Sequence, residues 1–273
     1  GMVPRGRWDR FERRIELGTH RTLDLLDQHN AKATFFVVGW IADQLPELVR
    51  EVALRGHEIA NQGYSHRTIA QLESPSAFRD DLIRSREALE RATGRPILGH
   101  RVPHFLTPRT LWALDVLSEE GILYDSSVRP LLGQFASRRF IHTHHHAGEE
   151  LIEVPISAIR YGSAALPLAA GNGLRQLPPQ LVQRVVDNWF DATGQPLVTY
   201  FHTWELDPEQ PRLNVGSRFT RLRHYRNLDQ MSERLTPLLS GYECVAIADH
   251  LGLDRRPALE VVPKPDPVEV AVA

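Results

Sequence analysis

The run Ala33-Thr34-Phe35-Phe36-Val37-Val38-Gly39 restricts the possible folds of this chain more than any other stretch. It is short, almost continuously apolar and rich in β-formers, the pattern of a strand covered on both faces. Such a strand belongs in a parallel sheet with helices packed above and below it. The flanking segments supply those helices. Glu12 to His29 predicts a helix with Ile15, Leu23 and Leu26 near one face, and Leu45 to Arg55 predicts a second that stops at Gly56, a C-cap signal. Ser74-Pro75 and Thr107-Pro108 each place a capping hydroxyl before a proline, so both predict helix starts.

Further strands are predicted over Glu58–Asn61, Leu151–Ile156, Leu197–His202 and Glu243–Ala248, with helices around Leu181–Phe190 and Leu228–Leu239 between them. The polar stretch His142–Glu150 is expected to be a loop. Repeated β-then-α units at this length favour a barrel. The expected organisation is a single barrel domain over residues 1–254, followed by an extended, proline- and charge-rich tail over residues 255–273.

The bulk numbers exclude several classes. With 32 Lys and Arg against 34 Asp and Glu, the chain has no basic footprint for nucleic acid, so no nucleic-acid partner is expected. Its one cysteine, Cys244, excludes a disulfide framework or a multi-cysteine zinc site and reads as a small buried hydrophobe. No apolar run is long enough to predict a transmembrane segment. Residues Gly1 to Arg10 carry no signal-peptide core, and Gly1-Met2 reads as a cloning remnant, so the expected location is cytoplasmic.

Strand ends in such folds carry the chemistry. Four predicted strand ends are unusually polar: Asn61-Gln62-Gly63-Tyr64-Ser65-His66, His100-Arg101-Val102-Pro103-His104-Phe105, Tyr124-Asp125-Ser126-Ser127 and Phe201-His202-Thr203-Trp204-Glu205. In this order and spacing they resemble the motifs of the NodB-homology polysaccharide deacetylases, carbohydrate esterase family 4. The stretch Pro4-Arg5-Gly6-Arg7-Trp8 through Gly56-His57-Glu58-Ile59-Ala60 is similar to the branch associated with exopolysaccharide loci. Trp204 to Arg212, with His224-Tyr225-Arg226-Asn227, resembles that branch's C-terminal extension.

The resemblance implies an α/β fold, a distorted (β/α) barrel of the polysaccharide deacetylase type. It also implies hydrolysis of the amide C–N bond of N-acetylated sugars, with an N-acetylated polysaccharide or oligosaccharide as partner. The family holds a divalent metal, usually zinc, with one aspartate and an HxxxH pair. His66 matches the second histidine of that pair, while the first falls on Gln62, a poor zinc ligand. The paired aspartates belong on a first strand before Arg7-Trp8. The few residues there form no such strand, so the first strand is missing from this sequence. Asp9, in a helix-like stretch, is not promoted to base.

By the same resemblance, Arg101 orients the base aspartate, Asp125 orients the late histidine and His202 protonates the leaving amine. Trp204, Tyr64, Phe105 and Pro103 are the candidate substrate-binding residues, with Trp8 a further aromatic. Structural roles stand beside these. His202 could serve a core hydrogen bond, Arg101 could pair with Asp125 or Glu205, and Asp125 could cap a turn. The cluster His142, His144, His145 and His146 reads mainly as a polar loop that binds metal adventitiously. Two alternative functions follow from the incomplete metal site: a catalytically inactive carbohydrate-binding or scaffolding homologue, and a metal-independent amidohydrolase. An open strand edge would be covered by a rearranged terminus, a swapped segment or a homo-oligomer contact.

Overall fold

A computed structural model describes residues 14–130, 139–146, 149–157, 159–161, 164–166, 170–214 and 216–253. The apolar run forms strand β1 (Thr34–Val37), which pairs in parallel with β2 (Glu58–Asn61). The parallel ladder continues through β3 (Gly99–His100), β4 (Tyr124–Asp125) and β6 (Glu149–Glu153), and β5 (His142–His146) joins β6 antiparallel at the far edge. A separate hairpin pairs β7 (Ile159–Tyr161) with β8 (Ala164–Leu166). Among the described residues the main sheet is open, and the architecture is that of a distorted (β/α) barrel.

The helices are α1 (Ile15–Gln28), α2 (Gly39–Gln44), α3 (Pro46–Leu54), α4 (Ile69–Leu72), α5 (Pro75–Thr93) and α6 (Trp112–Glu119). They are followed by α7 (Gly171–Gln176), α8 (Pro179–Thr193), α9 (Arg218–Tyr225), α10 (Met231–Gly241) and α11 (Ile247–His250). Helix α5 starts as its sequence predicts: Ser74 Oγ accepts from Ala77 N at 3.1 Å, and Gly94 closes the helix in the left-handed region. Leu82, Leu114, Leu117 and Leu151 join α5 and α6 to the sheet in one core. A second core packs Val182, Val186 and Trp189 of α8 on Met231 and Leu235 of α10, and includes Leu25 and Leu206. None of the helices described is long and apolar enough to cross a membrane.

Four expected elements differ. Thr107-Pro108 opens an isolated turn, not a helix: Thr107 N donates to Thr110 Oγ1 and Thr110 N to Thr107 O, both at 2.9 Å, and α6 begins only at Trp112. Within the stretch expected to be a loop, His142–His146 and Glu149–Glu150 are strand, and His144 turns inward to 6% exposure beside buried Glu153. Leu197–His202 is extended without a ladder. Tyr200 makes one parallel bridge to Ala170, and Ser157 Oγ takes Val198 N in place of a strand partner. Glu243–Ala248 is not a strand either, since its amides are taken by side chains: Ile247 N donates to Thr34 Oγ1 at 2.8 Å and Ala248 N to Glu58 Oε2 at 3.0 Å. Cys244 is half-buried rather than buried, and burial pushes its thiol pKa up. Trp8, Asp9, the expected missing first strand and the tail over 255–273 lie outside the described residues.

Short strands leave little tolerance between neighbours. A Cβ on Gly99 would lie 1.9 Å from Tyr124 Cζ, whose hydroxyl donates to buried Glu58 Oε1 at 2.8 Å. We therefore expect Gly99→Ala to lower stability in urea unfolding by about 3 kcal/mol. Gly241→Ala, where a new Cβ meets nothing within 4 Å, should change it by no more than about 0.5 kcal/mol.

Candidate active site

The in-register parallel pairing sets a row of polar side chains across the C-terminal ends of the strands. Asn61 pairs with His100, His100 with Asp125 and Asp125 with Glu153. All four are at most 1% exposed, so their polar atoms must find partners within the protein. Asp125 accepts from His100 Nδ1 at 3.0 Å, Ser127 Oγ at 2.8 Å and Ser127 N at 3.0 Å. Burial, and then the charge on Asp125, push the Glu153 carboxyl well above the ordinary carboxylate range. Its Oε1 accepts from Val128 N at 2.9 Å.

Arg101 follows this row and is held by Ser126. Its Nε donates to Ser126 O at 2.9 Å and Nη2 to Ser126 Oγ at 2.6 Å, while its guanidinium lies 4.2 Å from the Phe36 ring centroid. It forms an ion pair with neither Asp125 nor Glu205, so the expectation of such a pair is corrected. Both acids are already engaged elsewhere, by His100 and Arg175. Burial lowers the Arg101 pKa to about 10, which leaves it a cation at neutral pH.

His202 stands at the start of a short 3₁₀ turn, Thr203–Leu206. Its Nδ1 lies 3.1 Å from Glu205 Oε1, which also accepts from His202 N at 3.1 Å. The other oxygen, Glu205 Oε2, takes Arg175 Nε at 2.6 Å, and Arg175 and Glu205 are each 1% exposed. Arg175 also donates to His224 O and Arg226 O, both at 2.9 Å. Burial raises the Glu205 pKa, but the hydrogen bonds from His202 and Arg175 outweigh it and hold the carboxyl below its ordinary value. An ionised carboxylate only accepts, so neutral His202 must carry its proton on Nδ1 and present a bare Nε2. Asp125 was expected to hold His202. It bonds His100 instead, and the acid on His202 is Glu205, three residues along the same turn.

The turn is tightly set. A Cβ on Gly171 would lie 2.3 Å from Glu205 Oε1, and one on Gly18 would lie 2.9 Å from Thr203 O. Arg14 and Arg21 of the α1 segment bind Asp207 just beyond it, at 2.5 and 3.0 Å. The Trp204 ring stacks on His202 at 5.5 Å and on His224 at 4.4 Å.

His66 sits at φ 54, exposed at the mouth. Local desolvation, with the charges of His104 and His202, lowers its pKa. The charges of His104 and His202 thus both reach His66. Half-buried Gln62 makes no side-chain hydrogen bond among the described residues. Tyr64 is committed elsewhere: its hydroxyl bonds Asp43 and Arg84, and the Arg84 guanidinium covers its ring at 3.7 Å. That face is closed to a sugar. Phe105 lies half-buried under Arg129 at 5.3 Å, beside half-buried Pro103. Among the described residues no three His, Cys, Asp or Glu side chains could hold a metal ion. One histidine and one amide do not fit the family's zinc site.

The sequence model described as Polysaccharide deacetylase matches residues 10–121, and the one described as Domain of unknown function (DUF3473) matches residues 126–251. Residues 10–121 are thus similar to polysaccharide deacetylases. A peptidoglycan-N-acetylglucosamine deacetylase from Bacillus cereus is 32% identical over 49% of this chain and 53% of its own length. A chitooligosaccharide deacetylase from Bradyrhizobium is 33% identical over 37% of this chain and 43% of its own. The chain therefore spans about half the length of these curated relatives. A crystal structure from Mycobacterium smegmatis described as a polysaccharide deacetylase superposes with a TM-score of 0.55 over 81% of this chain and 77% of its own, at 23% identity. That likeness speaks for the fold.

The Glu205–Arg175 pair gives the site an acid limb of stability. Its depressed pKa stabilises the fold above the ordinary carboxylate range, and this contribution is lost as pH falls through the lowered value. Glu205→Gln should lose about 3–5 kcal/mol at neutral pH by leaving Arg175 buried without its anion. The acid-side loss should then be shallower than in the parent, as read by urea unfolding between neutral and acid pH.

Proposed function

We propose that this chain is a deacetylase-type amidohydrolase that splits the amide C–N bond of an N-acetylated sugar, releasing acetate and the free amine. The observation that carries this is His202, locked through Nδ1 to the Glu205–Arg175 pair, with Nε2 free at a mouth shared with His66 and His104. In this reading His202, once protonated, delivers the Nε2 proton to the departing amine, and Glu205 stabilises the imidazolium meanwhile. Arg101 fixes the mouth's back wall as a cation held by Ser126, and Asp125 sets that wall through His100. Pro103, Phe105 and the Trp204 edge border the sugar, while Tyr64, covered by Arg84, takes no part.

Zinc is the family's metal, and here the described donors at its position, His66 and Gln62, are too few to fit it. No step above runs through a metal. Gln62 and the incomplete donor set favour a second reading, a carbohydrate-binding homologue without turnover.

Acetate release from chitotetraose and from N-acetylated peptidoglycan, with and without added zinc, separates the two. The hydrolase reading expects release that falls at least about 100-fold in His202→Ala. If neither the parent nor Gln62→His releases acetate, the hydrolase reading falls and the binding reading takes its place. The Gln62→His variant should also bind zinc more tightly than the parent by isothermal titration calorimetry, since imidazole replaces a neutral amide.

A further inference from the structure

Beyond the His202 turn, the chain builds a cleft of about 190 Å³ that the deacetylation chemistry does not use. Its walls are Trp204, Gln210 and Leu213 on one side and Arg221, His224 and Tyr225 of α9 on the other. The two walls are tied together. His224 Nε2 meets Gln210 Oε1 at 3.0 Å, Gln210 Nε2 donates to Trp204 O and Asp207 O at 3.0 Å each, and Leu213 N donates to the Tyr225 hydroxyl at 2.8 Å. A cleft braced in this way is formed before any ligand arrives. It also adjoins the site, because Trp204 stacks on both His202 and His224.

The cleft wall carries one cation, Arg221, with no carboxylate partner among the described residues. Arg14, Arg21, Arg55, Arg79, Arg86, Arg91 and Arg175 all sit against carboxylates. Arg212, Arg218, Arg223 and Arg226, close to Arg221 in the chain, also pair with no carboxylate among the described residues, as is true of Arg84 and Arg234 elsewhere. The Arg221 side chain makes a single hydrogen bond among the described residues, to Gly216 O at 3.2 Å, and Arg212 lies 5.6 Å from the Tyr225 ring centroid. The nearest acids on the turn, Asp207 and Glu209, are already held by Arg14 and Arg21. Aromatic walls suit the apolar face of a sugar ring, and unpaired guanidinium groups suit a carboxylate.

We propose that this cleft binds an acidic sugar, one bearing a ring carboxylate, next to the N-acetylated sugar at His202. The preferred glycan therefore carries both kinds of residue. This rests on the reading of His202 as the reacting end, and the test keeps the two apart. Binding of a hyaluronan tetrasaccharide, which alternates N-acetylglucosamine with glucuronate, is compared with neutral chitotetraose at low salt by calorimetry. The acidic oligosaccharide should bind at least about tenfold tighter, the effect of one charge-assisted hydrogen bond, and the preference should shrink as salt rises.

Arg221→Ala should abolish the preference. So should Thr220→Trp, which fills the cleft from an exposed position on α9. Preference without acetate release leaves this binding site standing and removes only the hydrolase reading. Equal affinities, no binding of the acidic oligosaccharide, or a preference that survives both substitutions overturns the proposal. Phe219 and Leu222, 72% and 62% exposed on the outer face of α9, define the competing outcome. Attachment to anionic vesicles that depends on Phe219 rather than Arg221, with no oligosaccharide preference, overturns it in favour of a membrane surface.

Discussion

Taking the Arg175 guanidinium and the Glu205 carboxylate out of water costs several kcal/mol per ion, and each is only 1% exposed. The cost is offset only because both ions are saturated with partners. Glu205 accepts from Arg175, from the His202 ring and from the His202 amide, and Arg175 also donates to two backbone carbonyls of the α9 end. One buried pair thereby fixes the His202 ring, joins the 3₁₀ turn to α7 and anchors the far side of the cleft. Gly171 makes room for the carboxylate, since any side chain there would collide with it. Hydrophobic burial holds the turn from below through Leu206, in the core shared with α8 and α10. The ion pair gives the turn its direction and the apolar core gives it its seat.

The strand half of the site follows a different logic. Parallel register alone places Asn61, His100, Asp125 and Glu153 side by side, because each is the last residue of its short strand. Burial then makes that row a rigid wall: Asp125 spends its acceptors on His100 and Ser127, and burial beside it raises the Glu153 pKa. The wall supports Arg101 through Ser126, and Arg101 stays a cation against the Phe36 ring. The polar strand ends thus divide into a buried wall that positions the mouth and exposed histidines, His66, His104 and His202, that face it.

The fold was largely legible from pattern. The run Ala33–Gly39 and the Ser74-Pro75 start gave β1 and α5, because both rest on local signals that tertiary packing reinforces. The sequence misled where pairing needs a partner that sequence does not name. Leu197–His202 has strand composition, yet Ser157 Oγ replaces the ladder, and His142–Glu150 looks like a polar loop until His144 is seen turned inward. The site was legible in its members more than in its bonds. The motifs pointed to His202 and Asp125, but which acid holds the histidine depends on a three-residue turn, and the family resemblance implied Asp125. A Glu three residues after a His at a turn was the available signal, since that spacing lets the carboxylate reach both the ring and the backbone amide. Arg175 carried no signal, lying in a short helix far along the chain from its partner.

The central claim is that Glu205 holds His202 by Nδ1 and leaves Nε2 to the substrate. Its most direct test is the tautomer of His202 by long-range ¹H–¹⁵N correlation spectra of the ¹⁵N-labelled full chain, assigned against His202→Ala, at a pH where the ring is neutral. The account predicts a protonated Nδ1 and an unprotonated Nε2. An Nε2-protonated ring would contradict it, because Nδ1 would then have no proton to give Glu205, and the nitrogen facing the mouth would no longer be a free base.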